Sequence, residues 1–187
     1  MMKNTPISSE RLLLRPFSVK DGEGLFGILS DPETVRYEPY RAYTRKESYA
    51  EAERRETDPD YTAVLLPDGT LIGTVYLKES GAGSAELGYI FNRRCWGQGY
   101  ASEAVRAKLR DVFAQTHIRR VTARCNPENV RSWRLLERIG MRREGHLVKN
   151  IAFSCSEDGQ PIWQDTYLYA ILREEFPEKD VLSPDGQ

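Results

Sequence analysis

The segment Arg94-Cys95-Trp96-Gly97-Gln98-Gly99-Tyr100-Ala101 has the residue types and spacing of a phosphate cradle. It stands between an apolar run, Leu87-Gly88-Tyr89-Ile90-Phe91, and an amphipathic stretch that begins Ser102-Glu103-Ala104-Val105. A strand therefore leads into a glycine turn and then into a helix. Two closely spaced glycines let the backbone approach a ligand, and consecutive N–H groups point outward at the positive end of the helix dipole. That geometry suits a pyrophosphate. Charge supports it: Arg93 to Arg143 holds 13 Lys/Arg against 4 Asp/Glu, in a chain whose net charge is -1. A local surplus of this kind attracts an anion with several phosphates. Nucleic acid is not expected, because the basic residues lack interleaved aromatics and no nucleic-acid motif is present.

The elements that must hold this segment follow from periodicity and punctuation. At 187 residues, 40% hydrophobic and 29% charged, the chain suits one globular domain. Arg11-Leu12-Leu13-Leu14-Arg15 is a short strand ended by Pro16. Asp21 to Leu29 is a first helix, and the capping box Thr44…Glu47 opens a second that runs to about Glu56. Tyr61–Leu66 and Leu71–Leu77 form a hairpin across Pro67-Asp68-Gly69, and Gly81 to Ser84 turns the chain into the strand Ala85–Phe91. A helix follows the glycine turn, then the strand Val121–Cys125 and the helix Asn129–Ile139, stopped by Gly140. Met141–Lys149 reads as extended, a second hairpin turns near Asp158-Gly159 into Trp163–Leu172, and the tail from Pro177 to Gln187 reads as frayed. No apolar run approaches the roughly 20 residues of a membrane span, and the first residues lack the apolar core of a signal peptide. Cys95, Cys125 and Cys155 form neither CxxC nor a Cys/His cluster, so reduced thiols in a cytoplasmic protein are expected, with no metal.

Which pyrophosphate is bound depends on the wider pattern. A dinucleotide turn needs a third glycine where this chain has Ser102, and a Walker A loop needs a Gly-Lys-Ser/Thr that is absent. Arg94-x-x-Gly97-x-Gly99-x-Ala101 instead resembles the coenzyme A loop of the GNAT superfamily of N-acetyltransferases. The resemblance spans residues 8 to 176 and is strongest to the branch of ribosomal-protein-alanine acetyltransferases. Its carriers are Ser9-Glu10-Arg11-Leu12-Leu13-Leu14-Arg15, Ile72-Gly73, Ala85-Glu86-Leu87-Gly88-Tyr89, and Asn126-Pro127-Glu128-Asn129-Val130-Arg131-Ser132 followed by Leu135 to Met141. Trp163-Gln164-Asp165-Thr166-Tyr167-Leu168-Tyr169 and Glu174-Glu175-Phe176 complete it.

The resemblance implies an α/β fold with a mixed, mostly antiparallel sheet, in which the parallel strands Ala85–Phe91 and Val121–Cys125 splay apart. It implies acetyl-CoA as cosubstrate, held by Ile90, Phe91, Asn92, Arg94, Gly97, Gln98, Gly99, Tyr100, Ala101, Ser102, Asn126 and Asn129, and direct attack by an amine such as a protein N-terminus or a small amine. A backbone N–H near Phe91 or Asn92 would meet the developing oxyanion. Ser132 matches the serine proposed to reprotonate the departing thiolate; its alternative is a first-turn serine packed under the cosubstrate. Asn129 would touch the cosubstrate or cap its helix. The branch's downstream glutamate is missing, since Asn150-Ile151 stands in its place; Glu86 is the candidate substitute base or else a structural carboxylate anchoring the loop Asn126–Asn129, with His146 and a water chain as other routes for the proton. Tyr37, Tyr40 and Trp163, with Glu38 and Tyr43 nearby, are the candidate acceptor-side residues; the alternative is that the tyrosine rings simply cap the core. The missing glutamate also permits a catalytically impaired acyl-CoA-binding sensor. Assembly as a homodimer is left open.

Overall fold

The protein was analysed as a computed structural model that describes residues 5–177; the tail beyond Pro177 lies outside the described residues. In chain order the elements are β1 (Ile7–Ser8), β2 (Leu13–Pro16), α1 (Gly22–Leu29), α2 (Arg45–Glu56), β3 (Tyr61–Leu65), β4 (Leu71–Gly81), β5 (Ser84–Phe91), α3 (Tyr100–Gln115), β6 (Arg120–Cys125), α4 (Val130–Arg138), β7 (Arg142–Cys155) and β8 (Pro161–Leu172). The strands make one sheet in the order β1-β2-β3-β4-β5-β6-β8-β7. Among the described residues only β5 and β6 pair in parallel; the other neighbours are antiparallel. This is the mixed α/β sheet that the sequence implies.

Local chemistry sets most helix ends. Thr44 accepts the Glu47 N–H and the Glu47 carboxylate accepts the Thr44 N–H at 2.7 Å, so the capping box forms and α2 starts where expected. Gly140, at φ +96°, ends the last helix in the left-handed region. Several strands exceed the expectation, among them β4, which runs to Gly81 rather than Leu77, and β8, which starts at Pro161. β1 pairs with β2 through Ile7–Leu14 and Ser8–Leu13, and β7 continues past Lys149 to Cys155. The chain bulges at Lys149, φ +46°, whose N–H bonds the Asp165 carboxylate at 2.8 Å, and then rejoins β8. Strand pairing across the hairpin, rather than alternation within β7, carries that extension.

Apolar clusters fill both faces of the sheet. One joins Leu14, Leu77, Leu87, Val121, Ala123 and Tyr169 to Leu109 of α3 and Leu136 of α4. The other joins Phe17, Ala63, Leu71 and Ile90 to Leu25, Ile28 and Leu29 of α1 and Ala52 of α2. Alternation sorts β5 accordingly: Leu87, Tyr89 and Phe91 face α3 and α4, while Glu86, Gly88 and Ile90 face α1 and α2.

Gly73 of β4 is fixed by this packing, because a Cβ there would lie 2.3 Å from the ring of its cross-strand partner Phe91, which is 5% exposed. The Gly73→Ala variant should lose about 1–3 kcal/mol, a fall in melting temperature of roughly 3–10 °C. An unchanged melting temperature would mean that the Phe91 ring yields freely.

Candidate active site

The pairing of β5 with β6 stops early. Ser84 to Leu87 pair with Arg120 to Ala123, yet β5 runs on to Phe91 and β6 to Cys125. The Asn92 N–H donates to the Ile72 carbonyl at 2.8 Å, which sets the phase of the ladder. Asn92, Ile90, Gly88 and Glu86 therefore turn their backbone groups to β4, and Phe91, Tyr89 and Leu87 turn theirs toward β6. Beyond Leu87 those groups have no strand partner. The Phe91 carbonyl is claimed by the Trp96 indole N–H at 2.9 Å. The Phe91 N–H and both polar groups of the Tyr89 backbone line the gap. Of the two amides expected at the oxyanion, that of Asn92 is thus committed to the sheet and that of Phe91 remains.

The glycine turn sits at the open end of this gap. A short 3-10 turn, Arg93–Cys95, follows β5, with the Asn92 side chain capping the Arg94 N–H at 3.0 Å. The Asn92 amide also donates to the Gly27 carbonyl of α1 at 3.0 Å, so this residue serves the scaffold. Gly97 and Gly99 have φ +76° and +82°, and a Cβ on Gly97 would point into open space. Gly99 is the N-cap of α3 and offers no side-chain cap. The first-turn N–H groups of Tyr100, Ala101 and Ser102 are left for a ligand, as an anion site requires. Gln98 folds back, donating to the Arg94 carbonyl at 3.0 Å. The Arg94 guanidinium is exposed and among the described residues makes no ion pair. From α4, Arg131 stacks over Trp96 at 4.7 Å and Arg138 donates to the Ser102 hydroxyl at 3.3 Å, so cations frame the turn from both sides. These features fit a pyrophosphate joined to a strand-like arm.

One support escaped the sequence reading. Arg11, ahead of β2, donates to the Gln98 carbonyl at 3.1 Å, lies 4.6 Å over the Tyr100 ring and pairs with Glu103 at 2.7 Å. Glu103 also accepts the Arg11 N–H and the Ser9 hydroxyl, both at 2.8 Å. Desolvation would raise the Glu103 carboxyl, but these donors outweigh it and hold it below its ordinary value. The motif Ser9-Glu10-Arg11 is a clamp on the turn. Its partners are some ninety residues away, so only the motif itself could have signalled it.

Beside the gap, α4 begins at Asn129, whose side-chain oxygen accepts the Ser132 N–H at 3.2 Å. The asparagine is a cap; its amide nitrogen is not used in that bond and can still face a ligand. Asn126 is spent otherwise: its oxygen accepts the Glu128 N–H at 2.8 Å and its nitrogen donates to Gln164 at 2.9 Å. Ser132, half-buried, has its hydroxyl 2.9 Å from that of Tyr89. Cys125, at the end of β6, also interacts with Ser132; burial pushes its thiol up to about 11 although the serine pulls the other way. Burial likewise raises Tyr89 well above the ordinary phenol range. Both groups are therefore protonated at neutral pH.

Glu86 lies on the opposite face, where β5 is still paired on both sides, and is 3.7 Å from Arg124 with its side chain 42% exposed. His146 pairs with Asp165 at 2.6 Å and stacks edge-on against Tyr167. After α1, Tyr37 donates to the Glu128 carbonyl at 3.3 Å and Asp31 pairs with Arg93 at 3.0 Å. The segment after α1 thus bridges from the end of β5 to the loop before α4. Tyr40 packs on Tyr43 at 5.2 Å and on the cluster that holds Ile90, whereas Trp163 is exposed on β8. Tyr37 alone of the three is tied to the rim of the gap.

A parallel strand pair that parts beside an uncapped glycine turn has a match among known families. The model described as an acetyltransferase (GNAT) domain matches residues 11–142, and the chain belongs to that family. It is 36% identical over 173 residues to the uncharacterized N-acetyltransferase YnaD of Bacillus subtilis, covering 91% of this chain and 98% of that one. The crystal structure of a GNAT-family acetyltransferase from Bacillus anthracis matches with a TM-score of 0.82 at 35% identity, over 91% of this chain and all of the other. A shorter match, 35% identical over 85 residues, covers 46% of this chain and 41% of the ribosomal protein uS5-alanine N-acetyltransferase of Escherichia coli.

If Arg11 holds the turn in shape, Arg11→Ala should raise the dissociation constant for coenzyme A about threefold to tenfold, measured by calorimetry. Adding Glu103→Ala should cost little more, since both changes break one clamp. An unchanged constant in Arg11→Ala would show that the glycine turn keeps its shape unaided.

Proposed function

We propose that the protein transfers an acetyl group from acetyl-CoA directly to a primary amine, a peptide N-terminus or a small amine. The observation that carries this reading is the joining of an unpaired strand edge, Tyr89 and Phe91, to the uncapped start of α3. The amides of Gly97 to Ser102 would hold the pyrophosphate, with Arg94 and the Asn129 amide adding contacts. The backbone of Tyr89 would bond the pantetheine arm as an extra strand. Phe91 N–H would stabilise charge growing on the thioester oxygen, and alignment of amine and carbonyl would supply much of the rate. Ser132 would protonate the departing sulfur from the α4 face.

On the other face, Glu86 would take the amine's proton through water, since it stands about two residues short of the gap. Tyr37 would line the acceptor's path, and a tyrosine face suits a cationic amine before it loses its proton. Three free cysteines, one of them exposed, suit a reducing compartment such as the cytoplasm.

Thiol release from acetyl-CoA across a panel of N-terminal peptides, polyamines and aminoglycosides tests the reading. Amine-dependent release is expected, falling about a hundredfold in Ser132→Ala. In Glu86→Gln it should fall with a changed pH profile; an identical profile would remove Glu86 as base. Tight acetyl-CoA binding with no amine-dependent release would overturn the enzyme in favour of a coenzyme-A-binding sensor.

A further inference from the structure

Tyr89 enters none of the roles above through its side chain, yet its hydroxyl is buried at the point where β5 and β6 part. It lies 2.9 Å from the Ser132 hydroxyl and 3.1 Å from the Ser132 carbonyl. Leu87 and Ala123 are the last paired residues, so Tyr89 and Cys125 are the next residues on the α4 face of each strand. Ser132 reaches both. We propose that Tyr89 is the positioning residue for Ser132: its hydroxyl donates to the serine oxygen and leaves the serine's own proton directed into the gap. The inference rests on the role given to Ser132 above.

On this proposal the single proton of Tyr89 goes to the nearer of two acceptors, the serine oxygen at 2.9 Å rather than the Ser132 carbonyl at 3.1 Å. The Ser132 carbonyl lies in the first turn of α4 and already accepts a helical N–H from residue 136. The serine oxygen has two lone pairs and a single proton. Tyr89 stays protonated because its burial opposes a phenolate, so it is a standing donor. Cys125 stays a thiol for the same reason, and thiol sulfur is too weak an acceptor to hold the serine's proton. With Tyr89 donating, the Ser132 proton is free to point where the sulfur of the thioester would lie.

The consequence for the reaction is specific. When the carbon–sulfur bond breaks, its electron pair goes to sulfur, and Ser132 passes its proton there. Negative charge grows on the serine oxygen, and the Tyr89 bond strengthens against it. Ser132 then regains a proton from water, which balances the proton that the amine gives up. The bond to Tyr89 therefore acts on turnover rather than on ground-state binding.

The test is a cycle of Tyr89→Phe, Ser132→Ala and the double variant, with kcat, KM for acetyl-CoA, calorimetric affinity and melting temperature measured for each. Tyr89→Phe keeps the half-buried ring and should lower kcat about tenfold, with KM and affinity changed less than about twofold. The double variant should be no slower than Ser132→Ala alone, because Tyr89 acts through the serine. A double variant slowed by the product of the two single effects overturns the inference. So does a Tyr89→Phe protein whose affinity and melting temperature fall together with kcat, as a purely structural tyrosine would give. Full turnover in Tyr89→Phe beside a slow Ser132→Ala removes this inference alone. Full turnover in Ser132→Ala removes the serine's role and this inference with it.

Discussion

The structure depends on a parallel strand pair that comes apart inside a sheet. Backbone polar groups are rarely left without a partner, so a break in a ladder has to be held open by something. Here each half of the sheet is satisfied on its outer side. β5 stays bonded to β4 as far as Asn92, and β6 stays paired with β8 as far as Cys125 opposite Tyr167. Each strand follows its outer neighbour, and sheet twist carries the two apart. The wedge on one face is Ser132 at the start of α4, touching Tyr89 on β5; the indole of Trp96 satisfies the Phe91 carbonyl at the rim. What is left unpaired is a short length of strand edge of the kind that an extended ligand arm can complete.

The glycine turn is the second half of the same arrangement, and it is less autonomous than its motif suggests. Two left-handed glycines and an uncapped helix create amides that face outward, but the same features leave the turn with little of its own to hold it. Arg11 supplies that from the far end of the chain, binding a carbonyl, an aromatic face and a carboxylate in one stroke. Glu103 in the first turn of α3 also complements the helix dipole while orienting Arg11. The cradle is therefore assembled from the N-terminal strand region and from the start of α3 together.

How much of this could be read in the sequence follows from the range of each interaction. The capping box at Thr44, the turn at Asp68-Gly69 and the stop at Gly140 are local, and the elements that they bound lie where periodicity places them. The length of β7 was not legible, since its second half pairs with β8 across a bulge at Lys149 and is mostly exposed. The glycine turn and Ser132 were legible as motifs. The clamp by Arg11 and the contact of Tyr89 with Ser132 were not, because neither type nor spacing reveals bonds between residues 43 to 92 positions apart. Asn126 and Asn129 show the intermediate case. The motif marks both as important, and the structure shows that capping and loop closure already use much of their bonding capacity.

Alternation along β5 has a further consequence for chemistry. Tyr89 faces α4, where Ser132 meets it, and Glu86 faces α1 and α2, so the two proposed proton-handling groups, Ser132 and Glu86, stand on opposite sides of the sheet, with the gap between them. On that reading the departing sulfur and the incoming amine meet through the sheet, and neither face needs to carry both tasks. On the same reading the donor face would be built from α3, α4 and the glycine turn, and the acceptor face would be bounded by the segment after α1, which is tied to Arg93 at one end and to Glu128 at the other. Replacing residues between those ties would reshape the acceptor's path without disturbing a single amide of the turn. The separation, on that reading, would explain why residues of the donor face announce themselves as motifs, whereas Tyr37 and its neighbours carry no recognisable pattern.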